Sequence, residues 1–211
     1  MVDKRANRSS DPYIISLDEL LAGKTLRGEA IAMRAVQGPT TIRSDRDEVL
    51  YILEEETGIL LPRGEELKVN GIAIGVSGPP LPGQPRAAVL HDQPVQKTGD
   101  RWYRELIQSE ITQFVGSIPP GRAPDHFHLY EEMLCILQGS GFLWMGESKT
   151  PIARGSCIYL PKKQVHCVEN TTSGELRLLG VFYPAGSPSV RYEVHQGADS
   201  APSQRELDRR S

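Results

Sequence analysis

Short runs of apolar residues, each cut by turn-forming residues, make up most of the chain between residues 13 and 195. Examples are EVLYIL, GFLWM, SCIYL and LRLLGVFY, and the stretches between such runs are rich in Gly, Pro and Asn. Runs of this length bounded by turn residues indicate β-strands. Many short strands at this spacing predict an all-β sandwich or barrel.

One segment near the N-terminus has the pattern of a helix. In SLDELLAG, Ser16 can cap the first turn, Glu19 stands at the capping-box position three residues later, and Gly23 can end the helix. The two ends of the chain, 1–12 and 196–211, are polar and poor in large apolar residues. We expect both ends to be flexible, because burial cannot repay the entropy of ordering them.

An internal repeat indicates two copies of one barrel unit. Sliding the chain by 84 residues places DEVLYIL on EEMLCIL, with Glu48 on Glu132, and the same shift places Gly71 on Gly155. The stretch from Gly78 onwards is dense in Gly and Pro and favours a boundary there.

The repeat and the boundary together divide the chain. We predict an N-terminal barrel over 13–90 and a C-terminal barrel over 91–195.

Composition narrows the function classes. The formal net charge of -3 and a pI near 6.0 provide no basic field for a phosphate backbone, so nucleic acid is excluded as a partner and a small molecule is expected. No apolar run reaches the roughly 18 residues of a membrane span, and no export signal is visible. Cys135, Cys157 and Cys167 have no CxxC spacing and are odd in number, which favours free thiols and the cytoplasm.

The residues that point to chemistry cluster in the second copy. His126 and His128 are two apart on a strand and therefore point to one face. Glu132 follows after a short turn, and His166 comes from a third strand behind a Pro-containing turn. Three imidazoles and one carboxylate suit a divalent transition metal: Fe(II), Mn(II), Ni(II), Co(II) or Zn(II). Glu131 is the competitor of Glu132, and we expect it to be a solvated turn residue.

These segments resemble the two motifs of the cupin superfamily. The first motif appears as His126, His128 and Glu132 followed by Gly139, and the second as Gly155, Pro161, His166 and Asn170 at the expected spacings. The spacing to Gly139 favours Glu132 over Glu131 as the ligand. Two departures exist. Gly121 lies one residue too close to the first histidine, and Lys163 replaces the inner glycine of the second motif, where a positive φ costs a lysine more than a glycine.

The resemblance implies a fold and an assembly. It implies a double-stranded β-helix, the cupin jelly roll, in two tandem barrels, with one metal ion in the C-terminal barrel and Fe(II) favoured. It also implies a homodimer.

The first copy has lost its ligands in the 84-residue register. Ile42, Ser44 and Pro82 stand where the second copy has histidines, and Glu48 alone is retained. We therefore expect an N-terminal barrel without metal, which packs against the second barrel or retains an apolar ligand cavity.

The function expected from the resemblance is a metal-dependent enzyme acting on a small organic molecule. A dioxygenase is slightly favoured, because a three-His, one-Glu shell leaves positions for substrate and O2, and Glu132 is then a catalytic proton carrier. The alternatives are a metal-dependent lyase or isomerase, and a non-catalytic binding or sensing module. The metal that co-purifies distinguishes them.

Several other side chains have two interpretations. Four aromatic residues could line a pocket, although core packing is the expectation for each: Tyr130, Trp144, Tyr159 and Tyr183. Arg122 and Arg154 could meet an anionic substrate, although solvated surface is expected. Cys167 has the opposite strand parity to His166, so we expect it to face away from the metal and to be buried.

Overall fold

The structure is a computed structural model that describes residues 13–190 and 192–193. Both segments predicted to be flexible, 1–12 and 196–211, lie outside the described residues. The described part is almost entirely β, which confirms the predicted fold class.

The first half of the described chain forms one helix and nine strands. In chain order they are β1 (Ile14–Ser16), α1 (Leu17–Leu21), β2 (Leu26–Arg27), β3 (Ala32–Gln37), β4 (Thr40–Arg43), β5 (Glu48–Ile52), β6 (Thr57–Leu61), β7 (Glu66–Val69), β8 (Ile72–Ser77) and β9 (Arg86–Val89). A single 3₁₀ turn, Leu90–Asp92, follows.

The second half forms the remaining strands of the described residues. They are β10 (Gln96–Thr98), β11 (Arg101–Gln108), β12 (Thr112–Ile118), β13 (Gly121–Arg122), β14 (His126–Phe127), β15 (Glu131–Gln138), β16 (Ser140–Met145), β17 (Ser148–Ala153), β18 (Ser156–Leu160), β19 (Cys167–Asn170), β20 (Leu176–Tyr183) and β21 (Tyr192–Glu193).

The short helix begins and ends as the sequence predicts. Ser16 Oγ accepts a hydrogen bond from Glu19 N at 3.2 Å, and Glu19 Oε2 accepts one from Ser16 N at 2.9 Å, which completes the capping box. Gly23, with φ at +92°, lies just beyond the helix in the left-handed region that favours glycine.

The strands assemble into two barrels. The first combines a six-stranded sheet, β2-β3-β8-β5-β6-β9, with the pair β4-β7. The second combines a seven-stranded sheet, β1-β18-β15-β20-β12-β11-β10, with the smaller sheets β13-β19-β16-β17 and β14-β21. Neighbouring strands are antiparallel throughout both, so each barrel is a jelly roll and the tandem arrangement is confirmed.

The first strand of the described residues belongs to the second barrel. β1 pairs with β18, with Ile15 opposite Cys157, although the strands that follow it build the first barrel. The exact division into 13–90 and 91–195 remains a prediction.

The central strands of both large sheets are buried on both faces. In β15, Met133 and Cys135 belong to the largest core cluster, which contains residues of both barrels, whereas Leu134 and Ile136 pack inside the second barrel. β5 follows the same rule: its alternate residues pack between the barrels or inside the first barrel. The continuous apolar runs in the sequence result from this back-to-back packing, because neither face of these strands meets water.

Glu131 is a buried link between the barrels, so the expectation of a solvated turn residue was wrong. It is the first residue of β15 and is fully buried. Its carboxylate accepts hydrogen bonds from the backbone N–H groups of Glu29 at 2.9 Å and Ala30 at 3.0 Å, both in the first barrel. Glu29 N also donates to Tyr159 Oη at 3.1 Å. Alternation along the strand sends Glu131 to the neighbouring barrel and the next residue into the interior.

The repeat is present, but its register changes after β5. Glu48 of β5 lies opposite Leu61 of β6, as Glu132 of β15 lies opposite Leu160 of β18. β6 is therefore the counterpart of β18, and the hairpin β16-β17 has no counterpart in the first barrel. The predicted match of Gly71 with Gly155 was wrong, because the hairpin breaks the 84-residue offset.

The counterpart of His166 in the first barrel is consequently Leu67 and not Pro82. Leu67 lies opposite Ile42, as His166 lies opposite His126. Ile42, Ser44 and Glu48 keep the predicted correspondence, since all three precede the missing hairpin.

We predict that Gly28→Ala loosens the junction between the barrels. A Cβ atom at this position would lie 2.5 Å from Tyr159 Cε2 and 2.6 Å from Glu131 Oε2, so the substitution forces the inter-barrel contact apart. The free energy of unfolding should fall by about 1–3 kcal/mol, as for other overpacked sites.

Guanidinium chloride unfolding followed by tryptophan fluorescence measures this change. Gly174→Ala is the matched control, because a Cβ atom there would meet nothing within 4 Å. Equal losses in the two variants would contradict the tight junction.

Candidate metal centre

Three histidines from separate segments meet inside the second barrel. His126 and His166 face each other as an antiparallel bridge, with His126 N donating to His166 O at 3.0 Å and His166 N donating to His126 O at 2.8 Å. One ring nitrogen from each of His126, His128 and His166 lies within 4.8 Å of the others, and all three residues are buried. The structure thus brings together the histidines that the sequence singled out.

Backbone carbonyls fix the orientation of each ring. The Nδ1 atoms lie 3.0 Å from Pro124 O for His126, 3.0 Å from Val190 O for His128 and 2.8 Å from Gln164 O for His166. A carbonyl oxygen only accepts, so each Nδ1 carries the proton and each Nε2 carries the lone pair. Histidines that bind a metal through one ring nitrogen usually donate the N–H of the other to a carbonyl, a carboxylate or water in this way.

Glu132 completes the group from the neighbouring strand β15. Its Oε2 atom lies 3.5 Å from His166 Nε2 and 4.0 Å from His128 Nε2. The same oxygen is buried and has no hydrogen-bond partner among the described residues. A buried carboxylate oxygen without a donor is costly, and a cation placed beside it would offset that cost.

Burial governs the protonation of the site. Removal from water raises the pKa of Glu132 to about 8. The same effect, reinforced by the neighbouring His126 and His128, lowers the pKa of His166 to about 3. Both shifts favour the neutral forms in the absence of a cation, so the His166 imidazole keeps its lone pair at neutral pH.

The donor set fits a divalent transition metal. Metal–nitrogen bonds of about 2.1 Å place neighbouring ligand atoms about 3 Å apart and opposite ones about 4.2 Å apart, a range that includes both carboxylate distances above. Three imidazole nitrogens and one carboxylate oxygen leave further positions open in an octahedral shell. The residues that would hold the ion are His126, His128, His166 and Glu132.

The four side chains lie at the wall of a cavity of about 690 Å³, counting its mouth. The rest of the wall is mostly apolar and aromatic, and its large side chains are Trp102, Tyr103, Phe114, Leu134, Leu178 and Phe182. Glu132 is the single carboxylate and Arg101 the single arginine among the described lining residues.

Comparisons with known proteins agree with this arrangement. Residues 114–182 match the family model for the cupin domain. Over 87 residues the chain is 32% identical to an uncharacterized protein of Aquifex aeolicus, an alignment that covers 40% of this chain and 70% of that protein.

This chain belongs to the cupin superfamily.

A second relative of this cupin is auxin-binding protein 1 of Arabidopsis thaliana, 27% identical over 97 residues. That alignment covers 41% of this chain and 48% of the relative, so the chain spans about half its length. Two solved structures show the same fold over 86% of this chain. One is an IolB-like protein from Salmonella typhimurium LT2, with a TM-score of 0.64, 14% identity and 91% of that chain covered. The other is oxalate decarboxylase from Bacillus subtilis, with a TM-score of 0.60, 12% identity and 79% of that chain covered.

The C-terminal segment of this cupin supports the site in a way that the sequence analysis missed. Val190 O accepts from Tyr130 Oη at 3.0 Å as well as lying beside His128 Nδ1. The Tyr130 ring stacks on the His128 ring with centroids 4.8 Å apart. Pro188 of the same segment lines the cavity. A backbone carbonyl carries no side-chain signal, so composition and spacing could not have identified this contact.

The four aromatic residues considered from the sequence do not line the cavity. Tyr130 stacks on His128 from outside it, and Tyr159 packs between the barrels. Trp144 lies on the surface side of its sheet, where the Arg122 guanidinium is 4.0 Å from the ring centroid. The aromatic wall instead comes from β11, β12 and β20. Which side chains of these strands face the cavity depends on how the strands pair, and the sequence alone does not specify that pairing.

The replacement of a motif glycine by Lys163 is accommodated. Lys163 has a φ of +64°, the left-handed region that a glycine adopts more easily, and its N–H donates to His128 O at 2.7 Å. In the first barrel Gly64 has a φ of +85° and its N–H donates to Ser44 O at 2.9 Å. Both barrels therefore keep the same turn.

Cys167 is fully buried, as expected. Its Sγ atom accepts a hydrogen bond from Arg122 Nε at 3.3 Å, and Arg122 also pairs with Asp125 at 3.0 Å. These contacts hold the Arg122 side chain outside the histidine cavity. Neither Arg122 nor Cys167 is among the described residues that line that cavity.

In the first barrel a guanidinium lies where the second barrel has its histidines. Glu48 accepts from Arg34 Nε and Nη2, each at 2.6 Å, and its side chain is 2% exposed. Arg34 is cationic, and its pKa is raised mainly by this hydrogen bond. The small cavity beside the pair is lined mostly by polar residues, including Ser44 and Ser77, which argues against an apolar ligand cavity at this place.

None of the helices among the described residues is long and apolar enough to cross a membrane.

We predict one metal ion per chain. His126→Ala, His128→Ala and His166→Ala should each remove most of the metal while leaving the barrel folded, because the extensive apolar core does not depend on one ion. Elemental analysis by mass spectrometry gives the stoichiometry, and circular dichroism checks the fold. Two ions per chain, or global unfolding of all three variants, would contradict the single site.

We also predict that Glu48→Gln leaves the bound metal unchanged. The carboxylate that it removes is satisfied by Arg34, so the variant should lose stability and no metal. Glu132→Gln is the matched comparison in the second barrel, and it should lower the metal content. A metal loss on changing Glu48 would place an ion in the first barrel.

Proposed function

We propose that this cupin is a metal-dependent enzyme acting on a small organic molecule, with a dioxygenase reaction and Fe(II) as the favoured ion. The observation that carries the proposal is the convergence of His126, His128, His166 and Glu132 at the wall of a largely apolar cavity. One oxygen of Glu132 has no hydrogen-bond partner among the described residues. A cavity of about 690 Å³ is of the usual size for a small-molecule ligand.

The protein contributes binding, orientation and a proton carrier. The wall formed by Trp102, Phe114 and Phe182 favours an apolar or aromatic substrate and excludes water from its reacting face. The three imidazoles are held by backbone carbonyls, so the site needs no reorganisation when a ligand enters. Glu132 is the one carboxylate in the described wall, which makes it the proposed general acid or base. When bound, the ion supplies coordination positions and redox chemistry.

The remaining parts of the proposal follow from the same features. The partner is a small-molecule substrate, and the assembly is the homodimer that the family resemblance implies. Three free, buried cysteines support a reducing cytoplasm. Other ions remain alternatives to iron, since one structural neighbour, Bacillus subtilis oxalate decarboxylase, is described with Mn(II) centres.

The decisive experiment is elemental analysis of protein purified without added metal, followed by an oxygen-electrode screen of catechols, flavonols, β-diketones and thiols. Iron together with substrate-dependent oxygen uptake is expected. Turnover without oxygen uptake, with manganese, nickel, cobalt or zinc bound, would replace the dioxygenase by a lyase or isomerase. Binding of a ligand with the same affinity before and after metal removal, without turnover, would indicate a binding module.

The pair Glu131 and Glu132 provides an internal test of the catalytic assignment. Glu132→Gln should lower kcat/KM by about 100-fold or more, the usual contribution of a general acid or base. Glu131→Gln removes the same charge one residue away, but its side chain faces the first barrel, so it should lower the melting temperature and largely preserve kcat/KM. If Glu131→Gln is the more damaging change for catalysis, the assignment of Glu132 is wrong.

A further inference from the structure

A second, larger cavity lies at the junction of the two barrels. It measures about 1060 Å³, counting its opening, and is lined by α1, by residues of β5 and β8 from the first barrel, and by residues of β15 and β20 from the second. It shares no lining residue with the histidine cavity. The sequence could not reveal it, because its walls come from segments far apart along the chain.

One part of the wall is aliphatic. Leu17, Leu53, Ile72 and Leu137 all line the cavity and are only half-buried, although each is a large apolar side chain. An apolar ligand group that contacts these four side chains would remove their remaining exposed surface from water, and the gain in free energy is proportional to the apolar area covered.

The charged part of the wall has an excess of one positive charge. Its charged residues are Glu56, Arg154 and Arg177. Arg177 Nη2 donates to Glu56 Oε1 at 2.9 Å across the junction, and that pair is approximately neutral. Arg154 remains as the uncompensated cation of the described wall, and it is exposed.

Two hydrogen-bond donors of the wall residues lack acceptors. Tyr51 Oη and Arg177 Nε are buried and have no partner among the described residues. Tyr51 is 1% exposed, and burial raises the pKa of its hydroxyl, so the group keeps its proton and remains a donor. Buried donors without acceptors are rare in native proteins and call for an unseen acceptor.

We propose that the inter-barrel cavity is a second ligand site, which binds a small amphiphilic monocarboxylate. The carboxylate accepts hydrogen bonds from Tyr51 and Arg177 and balances the charge of Arg154, while the aliphatic chain covers the four half-buried side chains. A carboxylate accepts charge-assisted hydrogen bonds, which are stronger than those between neutral groups, and its single charge matches the single excess cation. A phosphate dianion would overcompensate that charge and would leave the aliphatic wall uncovered.

Isothermal titration calorimetry with hexanoate tests the proposal on the full chain. Hexanoate should bind with one-to-one stoichiometry, whereas hexan-1-ol and inorganic phosphate should bind at least about tenfold more weakly. Tyr51→Phe and Arg177→Met should each weaken hexanoate binding at least about fivefold, the effect expected for a lost hydrogen bond to a charged group. Tyr51→Phe removes only a hydroxyl that lacks a partner among the described residues, so its melting temperature without ligand should not fall.

Two control variants test whether hexanoate binds in this cavity. Arg43→Met removes a cation that is 71% exposed elsewhere on the first barrel, and it should leave the affinity unchanged. His166→Ala alters the histidine cavity, and it should also leave the affinity unchanged. A loss of binding in His166→Ala would place hexanoate in the histidine cavity and overturn the proposal.

Unchanged affinity in Tyr51→Phe and Arg177→Met would overturn the proposal as well. A crystal structure from hexanoate-soaked crystals in which the cavity contains an ordered water only would do the same. None of these outcomes depends on the metal-dependent activity, so the second site and the proposed function are tested separately.

Discussion

The burial of strand β15 on both faces is the constraint on which the rest of the structure depends. A strand directs successive side chains to opposite sides, so the buried residues of β15, from Glu131 to Ile136, face alternately the neighbouring barrel and the interior of their own barrel. At its start this alternation separates two adjacent carboxylates. Glu131 binds backbone N–H groups of the first barrel, and Glu132 faces the histidines. The same strand therefore contributes to the contact between the barrels through Glu131 and to the histidine site through Glu132.

The same alternation explains why two barrels of this size pack tightly. The largest apolar cluster lies between them and not within either one, so each barrel buries its outer sheet against the other. Within this interface the polar contacts are specific: a buried carboxylate meets two N–H donors, and Gly28 permits their close approach. This packing is incomplete at the cavity on the edge of the interface, where two buried donors have no acceptor within the part of the chain that the structure describes.

The two barrels share a buried glutamate but surround it with different side chains. Each retains a buried glutamate at the start of its central strand, and a buried carboxylate needs a compensating positive charge or donors. In the first barrel Arg34 supplies both through two hydrogen bonds to Glu48. In the second barrel Glu132 faces three imidazoles held in the tautomer that presents lone pairs, an arrangement suited to an ion. Leu67 and Ile42 in place of histidines account for the difference.

The sequence by itself determined the features that depend on local spacing. The apolar runs indicated the strands, Ser16 and Glu19 indicated the helix start, and the HxH pattern with Glu132 and His166 identified the side chains that the fold brings together. Only the tertiary structure decided the buried role of Glu131, the change of repeat register at the β16-β17 hairpin, and the support of His128 by Val190 O. These features depend on which distant strands pair and on backbone groups without a side-chain signal, and periodicity along the chain specifies neither.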